Sequence, residues 1–561
     1  MKKFASILLS MLMATGAIAA ASAETYTGTA QGIGEVSVTL TVEDGKITAA
    51  EVVGENETKG IGYEPCADGT YADAIVAAQG VDFDSISGAT VTSNAVKDAT
   101  KKAMAAAGLI EAEDTTVADA ECDVVIVGAG GAGMWAAVEA VRAGKSVVVI
   151  EKGGNVGVAN GSLAGGPFMV GSKLQQEAGV EFTVEEAFNH IMEYAHWSTN
   201  AAAVKAAVVI SGETVDQFTD DFGVPTGLRP DNYGAGHASV RANFQSDPKD
   251  SKTQAKGEDR MKPLQEFVES KGGEFLFNTA GKRLIMEDGA CTGVQCEGDG
   301  VTDVKAKAVI VATGGFSCNQ EMVSTYLPSQ ARLGPLTVNS MGEGHQLCKA
   351  IGGVYTHMDM EANRMSDLAQ VTVWGYFSPQ VQVTPQGRRF IKEDQSHDSP
   401  DKAVELGLGF WWTIFDDQAI NSSQKWNVEM NMKSNADRLV GPCNSLDELA
   451  AAMDVPADTL KATFETYDAM VAAGEDTEFG KKLFLQSLSA PYYAMKHFPY
   501  RYKTHGGMKI TTDSQLTDKD GNPIPNVYCA GSTVADSGSD LSPNAGSGLI
   551  SGKAVVEALK A

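Results

Sequence analysis

Residues 122–152 read CDVVIVGAGGAGMWAAVEAVRAGKSVVVIEK, and this stretch decides the fold. Val124 to Val127 is a short all-apolar run, as expected of a strand buried on both faces. Gly128, Ala129, Gly130 and Gly133 follow in the spacing G-x-G-x-x-G. Met134 to Ala143 carries apolar residues at helical spacing, and Ser146 to Ile150 is a second buried strand that ends in Glu151. Strand, glycine loop, helix and strand in this order make the first half of a dinucleotide-binding unit. The glycines let the backbone approach a pyrophosphate at a helix N-terminus. An acid at the end of the second strand, here 23 residues past Gly128, accepts hydrogen bonds from a ribose.

Outward from this unit, strand and helix signals alternate to about residue 355, predicting an α/β domain with a doubly wound parallel sheet. Residues 357–502 change character, with more aromatics and irregular spacing, and read as an inserted α+β capping or substrate domain. Residues 503–561 return to a strand, NVYCAG, and a final helix, so the nucleotide-binding domain spans 121–356 and 503–561. Upstream, 24–110 reads as a small α+β domain. EVSVTLTV and KITAAEVV form a hairpin about Glu43-Asp44-Gly45, and a helix runs from Asn94 to Ala107. The acidic, turn-rich residues 111–120 are a linker.

The first 23 residues read as a signal peptide. Lys2 and Lys3 precede an apolar stretch from Phe4 to Ala20, and Ala21-Ser22-Ala23 is a small-residue cleavage site. The mature chain is thus expected outside the cytoplasm, in a periplasm or at the cell surface. The formal charge of −28 becomes −30 once the two lysines of that segment are gone, a surface that repels nucleic acid and anionic lipid. Eight cysteines are scattered without a C-x-x-C pair or haem-attachment spacing, which excludes a cysteine-ligated metal or haem module of the usual kind. No metal site is expected.

Further glycine-rich motifs follow in order: Ala312-Thr313-Gly314-Gly315, His505-Gly506-Gly507, Gly531-Ser532 and SPNAGSGLISG. Their order over residues 120–561 resembles the flavoprotein subunit family of fumarate reductase and succinate dehydrogenase, and most of all its soluble flavocytochrome-type fumarate reductases and urocanate reductases. The resemblance implies a non-covalent FAD. It places Glu151 on the adenosine ribose, and Lys152, Asn155, Val156, Gly161 and Ser162 along the pyrophosphate and flavin. Thr313 and Gly314 would pass near the adenine side; Ala280, His505, Gly506, Glu343 (where the family usually has an Asp) and Ser532 (where it usually has Gly-Glu) are further cofactor-binding candidates. Gly548, Leu549 and Ile550 are expected to open the last helix and turn its positive end to the flavin.

Asp84-Ser85-Ile86-Ser87-Gly88-Ala89-Thr90 precedes the helix of the small domain, a place where free N–H groups suit a phosphate. Its spacing resembles the flavinylation motif of FMN-binding domains, and Glu57-Thr58-Lys59-Gly60-Ile61-Gly62 resembles that family's second motif. The resemblance implies FMN carried on Thr90 as a phosphoester, with Ser87, Gly88 and Ala89 in the binding turn and a separate flavin transferase as partner.

The fumarate reductases of this family use histidine and arginine side chains to grip and protonate a dicarboxylate. Counted from Asp359-Met360-Glu361 and Gly387-Arg388-Arg389-Phe390, those positions fall on Ser366, Thr372, Val373, Tyr376, His397, Lys503 and Asn544. Only the threonine is kept. A dicarboxylate needs fixed cations, so fumarate is a poor candidate and urocanate is weakened. Trp374, Tyr376, Phe377, His397 and Lys503 would instead make an aromatic, less cationic pocket, with His397, Tyr376 and Lys503 as candidate catalytic residues. Arg388 and Arg389 are further candidates to orient a substrate, one of them structural. The expected activity is a two-flavin reductase. It takes electrons from a membrane-linked donor through FMN to FAD and passes hydride to a small organic acceptor with an activated C=C bond. A flavin-dependent dehydrogenase of a steroid-like ketone and a non-catalytic flavin electron carrier are the alternatives.

Overall fold

The computed structural model describes residues 23–31, 35–55, 57, 62–84, 86, 89–110, 120–156, 169–194, 197, 201–228, 242–244, 257–298, 303–337, 339–360, 363–366, 379–394, 399–422, 425–535 and 541–560. The chain divides into two compact units, Met1–Thr115 and Thr116–Ala561.

The first unit is a three-stranded antiparallel sheet, β1 (Glu24–Gln31), β2 (Glu35–Glu43) and β3 (Lys46–Val53), with three helices, α1 (Tyr63–Ala67), α2 (Thr70–Ala78) and α3 (Thr90–Ala106). Val36, Val38 and Leu40 alternate along β2 and are fully buried, which fixes the face that meets α3. The β2–β3 turn is the two residues Asp44 and Gly45, both at positive φ (49° and 72°), as the twist of a tight hairpin requires. Two expectations need correction. β1 has no counterpart in the sequence reading, because its threonines, glycine and alanine make a weak apolar alternation. α3 starts at Thr90, four residues before Asn94, so Thr90 is its first residue and not part of the preceding turn. Gly28 explains how closely β1 meets α3: a Cβ there would stand 2.7 Å from the Ala103 nitrogen.

The second unit is built on an eight-stranded sheet. Its strands are β4 (Ala120–Val127), β5 (Val147–Ile150), β6 (Glu274–Leu276), β7 (Ala280–Glu287), β8 (Ala290–Glu297), β9 (Asp303–Val311), β10 (Gln515–Thr517) and β11 (Pro523–Cys529). The order is β10-β11-β9-β4-β5-β6; β8 pairs with β9 and β7 with β8. The five strands from β11 to β6 run parallel. Helix α4 (Gly131–Arg142) links β4 to β5 and packs against α5 (Leu541–Ala558) on one face, with the helix Gly257–Ser270 beside α4. Trp135 is fully buried there, edge-on to Phe218 and Phe222. On the other face, Leu347, Cys348, Met508 and Leu516 pack on Val125, Val148 and Val309. This is the doubly wound fold the sequence predicts.

Between the halves of that sheet the chain leaves through Asn363–Ser366 and returns through Pro499–Lys503, which pair antiparallel. Inside the excursion stands a four-stranded antiparallel sheet, in the order Val381–Val383, Trp411–Asp416, Tyr492–His497, Leu439–Cys443. Leu446–Met453 and Ala457–Ala473 pack on it around Leu449, Leu460 and Phe464. A buried ion cluster ties this region together. Arg389 donates to Glu393 at 2.9 Å and to Asp476 at 2.8 Å. Lys481 donates to the Gln380 carbonyl at 2.7 Å and to the Tyr467 hydroxyl at 3.0 Å. Arg389 is therefore the structural member of the arginine pair, and Arg388 is exposed.

Candidate active site

The cofactor cradle begins where β4 ends. Gly128 has φ +107°, and its N–H donates to the Ile150 carbonyl at 2.7 Å. A Cβ on Gly128 would sit 2.6 Å from the Ala312 carbonyl oxygen, and one on Gly133 would overlap the Gly128 carbonyl. The chain therefore turns from strand into helix in a space that only glycine fits. Gly130 is the extended N-cap of α4, and no side chain caps that helix. Its first-turn N–H groups are left for an outside acceptor, as a pyrophosphate requires.

Glu151 leaves β5 into this corner. One carboxylate oxygen accepts from the Ala129 N–H and the other from the Gly153 N–H, both at 2.8 Å. Burial pushes its carboxyl up, against the pull of those two N–H groups. Lys152 pairs with Glu343 at 2.6 Å and donates to the Asn339 carbonyl at 3.2 Å. The other Glu343 oxygen, Oε2, is buried with no hydrogen-bond partner in the chain. Glu343 opens the helix Glu343–Ala350, whose Gly344 N–H donates to Thr313 Oγ1 at 3.0 Å. Gly314 follows at φ +81°, and Thr533 donates to its carbonyl at 3.3 Å. Ala280 opens β7 and is half-buried; Asn155 is half-buried and Val156 is buried. A glycine cradle, an uncapped helix start, a carboxylate at the strand end and an orphaned buried oxygen together fit a dinucleotide.

Further along, Phe316 N–H donates to Thr504 Oγ1 at 3.1 Å, and a Cβ on Gly315 would stand 2.5 Å from that oxygen. A Cβ on Gly506 would be 2.5 Å from the Met358 Cα, so this glycine permits close backbone packing. His345, fully buried, meets the Gly506 carbonyl through Nε2 at 3.3 Å, and burial takes its pKa down to about 4. His505 is also lowered to about 4, first by burial and then by the Lys503 charge. Lys503 ends its strand opposite Asn363. Thr504, Gly344 and His345 were not singled out in the sequence. Gly315 was, as part of the Ala-Thr-Gly-Gly run.

Ser532 sits half-buried in the turn Gly531–Thr533, where the Gly531 N–H donates to Ser547 Oγ at 3.0 Å. The last helix differs from expectation. α5 starts at Leu541, so Gly548, Leu549 and Ile550 lie in its middle and do not open it. A Cβ on Gly548 would overlap the Ala132 carbonyl, so this glycine serves the crossing of α5 over α4. The physical reason is continuity: SPNAGSG carries glycine without proline after Pro543, and tertiary packing against α4 keeps it helical.

In the first unit, α3 has Ala89 as N-cap, no side-chain cap and no acid in its first turn. That fits an incoming phosphate. Several predicted positions lie outside the described residues: Ser87, Gly88, Gly161, Ser162, Thr372, Val373, Trp374, Tyr376, Phe377 and His397. Among the described residues no His, Cys, Asp and Glu group could hold a metal ion, and no helix is long and apolar enough to cross a membrane.

The doubly wound sheet with this cradle defines a dinucleotide-binding protein. The chain belongs to the FAD-binding domain family, matched over residues 123–549, and carries an FMN-binding domain over residues 32–105. It is 27% identical to a urocanate reductase of Eggerthella lenta over 544 residues, 91% of this chain and 87% of that one. It is 25% identical to a vinyl phenol reductase of Lactiplantibacillus plantarum, covering 75% of this chain and 92% of that one. The open conformation of a flavocytochrome c3 fumarate reductase superposes with a TM-score of 0.61 at 26% identity, covering 78% of each chain. The protein is an FAD- and FMN-binding oxidoreductase that acts on C=C bonds. That sets aside the reading as a non-catalytic carrier.

Proposed function

We propose that this is an exported two-flavin reductase, in which electrons enter at FMN held on Thr90 and reach the acceptor from FAD. The acceptor is an activated alkene with at most one carboxylate, in the class of enoates, cinnamates and vinyl phenols. The observation that supports this reading is Lys503, which ends the strand Pro499–Lys503 two residues before His505 and stands near enough for its charge to lower the His505 pKa. Supporting it, Ser366 falls where the dicarboxylate reductases have a histidine, and Arg389 of the Gly-x-Arg-Phe match is taken up by Glu393 and Asp476.

Bound FAD supplies a hydride to one carbon of the alkene. The chain's residues do the remainder. Lys503 holds the carbonyl or single carboxylate that activates the double bond, so that negative charge developing there is met by an ammonium. His505, with its pKa at about 4, stays neutral at working pH and adds no second cation. His397, or Tyr376 as the alternative donor, delivers the proton to the neighbouring carbon, since an imidazole titrates near working pH. A separate flavin transferase loads Thr90, and a membrane-linked donor reduces the FMN.

The test is to reduce the purified holoprotein and follow flavin reoxidation by a panel of enoates, cinnamates, vinyl phenols, enones and dicarboxylates. Monocarboxylate or phenolic alkenes should reoxidise it fastest. Fumarate as the best acceptor would refute the substrate assignment. Thr90→Ala should abolish covalent FMN and donor-driven turnover while FAD stays bound; full donor-driven activity in that variant would refute the electron path.

A further inference from the structure

The first turn of α3 carries three hydroxyl residues: Thr90, Thr92 and Ser93. Two of these hydroxyls are committed to partners inside the small unit. Thr92 donates to the carboxylate of Glu57, and both residues are buried. Ser93, fully buried, shares a 2.9 Å hydrogen bond with the Tyr71 hydroxyl and accepts the Ile86 N–H at 3.1 Å. The Ile86 carbonyl in turn accepts the Ala89 N–H at 2.9 Å, so the loop ahead of the helix is tied back onto its first turn.

Glu57 is itself held in place. Its N–H donates to the Gly54 carbonyl at 3.1 Å, closing a turn after β3, and a Cβ on Gly54 would stand 2.9 Å from Glu57 Cγ. On the other side, a Cβ on Gly62 would overlap Thr92 Oγ1. Glu57 and Gly62, the two ends of the second motif, therefore both close on Thr92, two residues past Thr90. A carboxylate at a helix start would compete with a phosphate for the same N–H groups if it were pointed at them. Here one of its oxygens, Oε2, accepts from a side-chain hydroxyl, that of Thr92.

We propose that Glu57 is a positioning residue for flavin attachment. Through Thr92 it locks the first turn of α3 and occupies the competing hydroxyl, so that the phosphoryl group goes to Thr90. The inference rests on the reading that Thr90 carries FMN. In the step it serves, the Thr90 Oγ–P bond forms as the pyrophosphate bond of a flavin dinucleotide breaks. AMP leaves, the hydroxyl proton passes to water, and no electrons are transferred.

The test co-produces the full chain with a flavin transferase and FAD. It reads covalent FMN by intact mass and by flavin fluorescence of the denatured chain, with tandem mass spectrometry to place it. Glu57→Ala and Thr92→Val should each slow incorporation about ten-fold or more, since misplacing a reacting group by an ångström carries a cost of this kind. The double variant should be no slower than either single one. Glu57→Gln, whose amide oxygen still accepts the Thr92 hydroxyl, should stay within about three-fold of the wild type. In Glu57→Ala, the residual FMN should be shared between Thr90 and Thr92.

Wild-type incorporation in Glu57→Ala or in Thr92→Val overturns the proposal, as does a Glu57→Gln that is as slow as Glu57→Ala. Should Glu57→Ala fail to fold, the contrast between Thr92→Val and Glu57→Gln decides. Covalent FMN persisting in Thr90→Ala would instead sink the attachment reading itself.

Discussion

Replacing Glu151 by Gln tests whether the corner at the end of β5 holds the dinucleotide as the geometry indicates. The carboxylate serves two backbone donors at once, the Ala129 and Gly153 N–H groups, each at 2.8 Å. An amide has one oxygen, so Gln can serve one of them and must turn its NH2 toward the other. A hydrogen bond to a charged acceptor contributes about 1.5–3 kcal/mol net, and an unpaired buried N–H costs a similar amount. Ala129 lies inside the glycine loop, so its release loosens the pyrophosphate site directly. An expected loss of about 1.5–3 kcal/mol in FAD binding corresponds to roughly ten- to hundred-fold in dissociation constant. The assay is titration of FAD into deflavinated protein by flavin fluorescence, with covalent FMN subtracted as a constant. An affinity within about two-fold of wild type, with an unchanged melting temperature, would refute the assignment of Glu151 as the organiser of this site.

Three further outcomes are expected. Burial alone would raise Asp476, but the Arg389 guanidinium and the Lys481 and Phe479 N–H groups hold it at about 2, below its ordinary 3.8. Such a group contributes about 2 kcal/mol of stability that is complete above pH 4 and lost as pH falls toward 2. Asp476→Asn should lower urea resistance at pH 6 and remove that part of the acid sensitivity; a variant with the same pH 6-to-pH 3 difference as wild type would contradict it. Removing the Lys503 charge by Lys503→Met should raise the His505 pKa from about 4, since that charge helps to lower it, and the histidine proton resonance in a pH titration reports the change. An unmoved His505 would show that burial alone sets its pKa. Seven of the eight cysteines are buried and Cys318 is half-buried. A thiol reagent should therefore label about one cysteine in the native chain and all eight after denaturation, and rapid native labelling of several would mean that the packed sheet opens readily.

The parts of the molecule that sequence revealed are those where chemistry and neighbours in the chain coincide. The glycine loop, its two flanking strands and Glu151 lie within 30 residues, and each has a local reason to be there. The Asp44-Gly45 hairpin is legible for the same reason. What stayed hidden depends on partners far away. Lys152 meets Glu343 across 191 positions, and Arg389 meets Asp476 across 87, so neither pairing could be read from spacing. The start of α5 was missed because Gly546 and Gly548 look like a helix opening, whereas the helix already runs from Leu541 and Gly548 allows its crossing over α4. β1 was missed because residues such as Thr25, Thr27 and Gly28 are ordinary in a loop and become a strand only when β2 is present to pair with them.

The arrangement of the sheet has a consequence for how the chain must be made. β11 lies directly beside β9, and α5 covers α4, yet β11 and α5 span residues 523–558 and are the last elements of the fold to leave the ribosome. Until they emerge, the Val309–Val311 end of β9 lacks its β11 partner and the face of α4 that meets α5 is bare. The nucleotide-binding unit thus matures only after synthesis has passed its final helix. A growing chain paused near residue 500 would present a sticky, unclosed sheet to the chaperones that attend it.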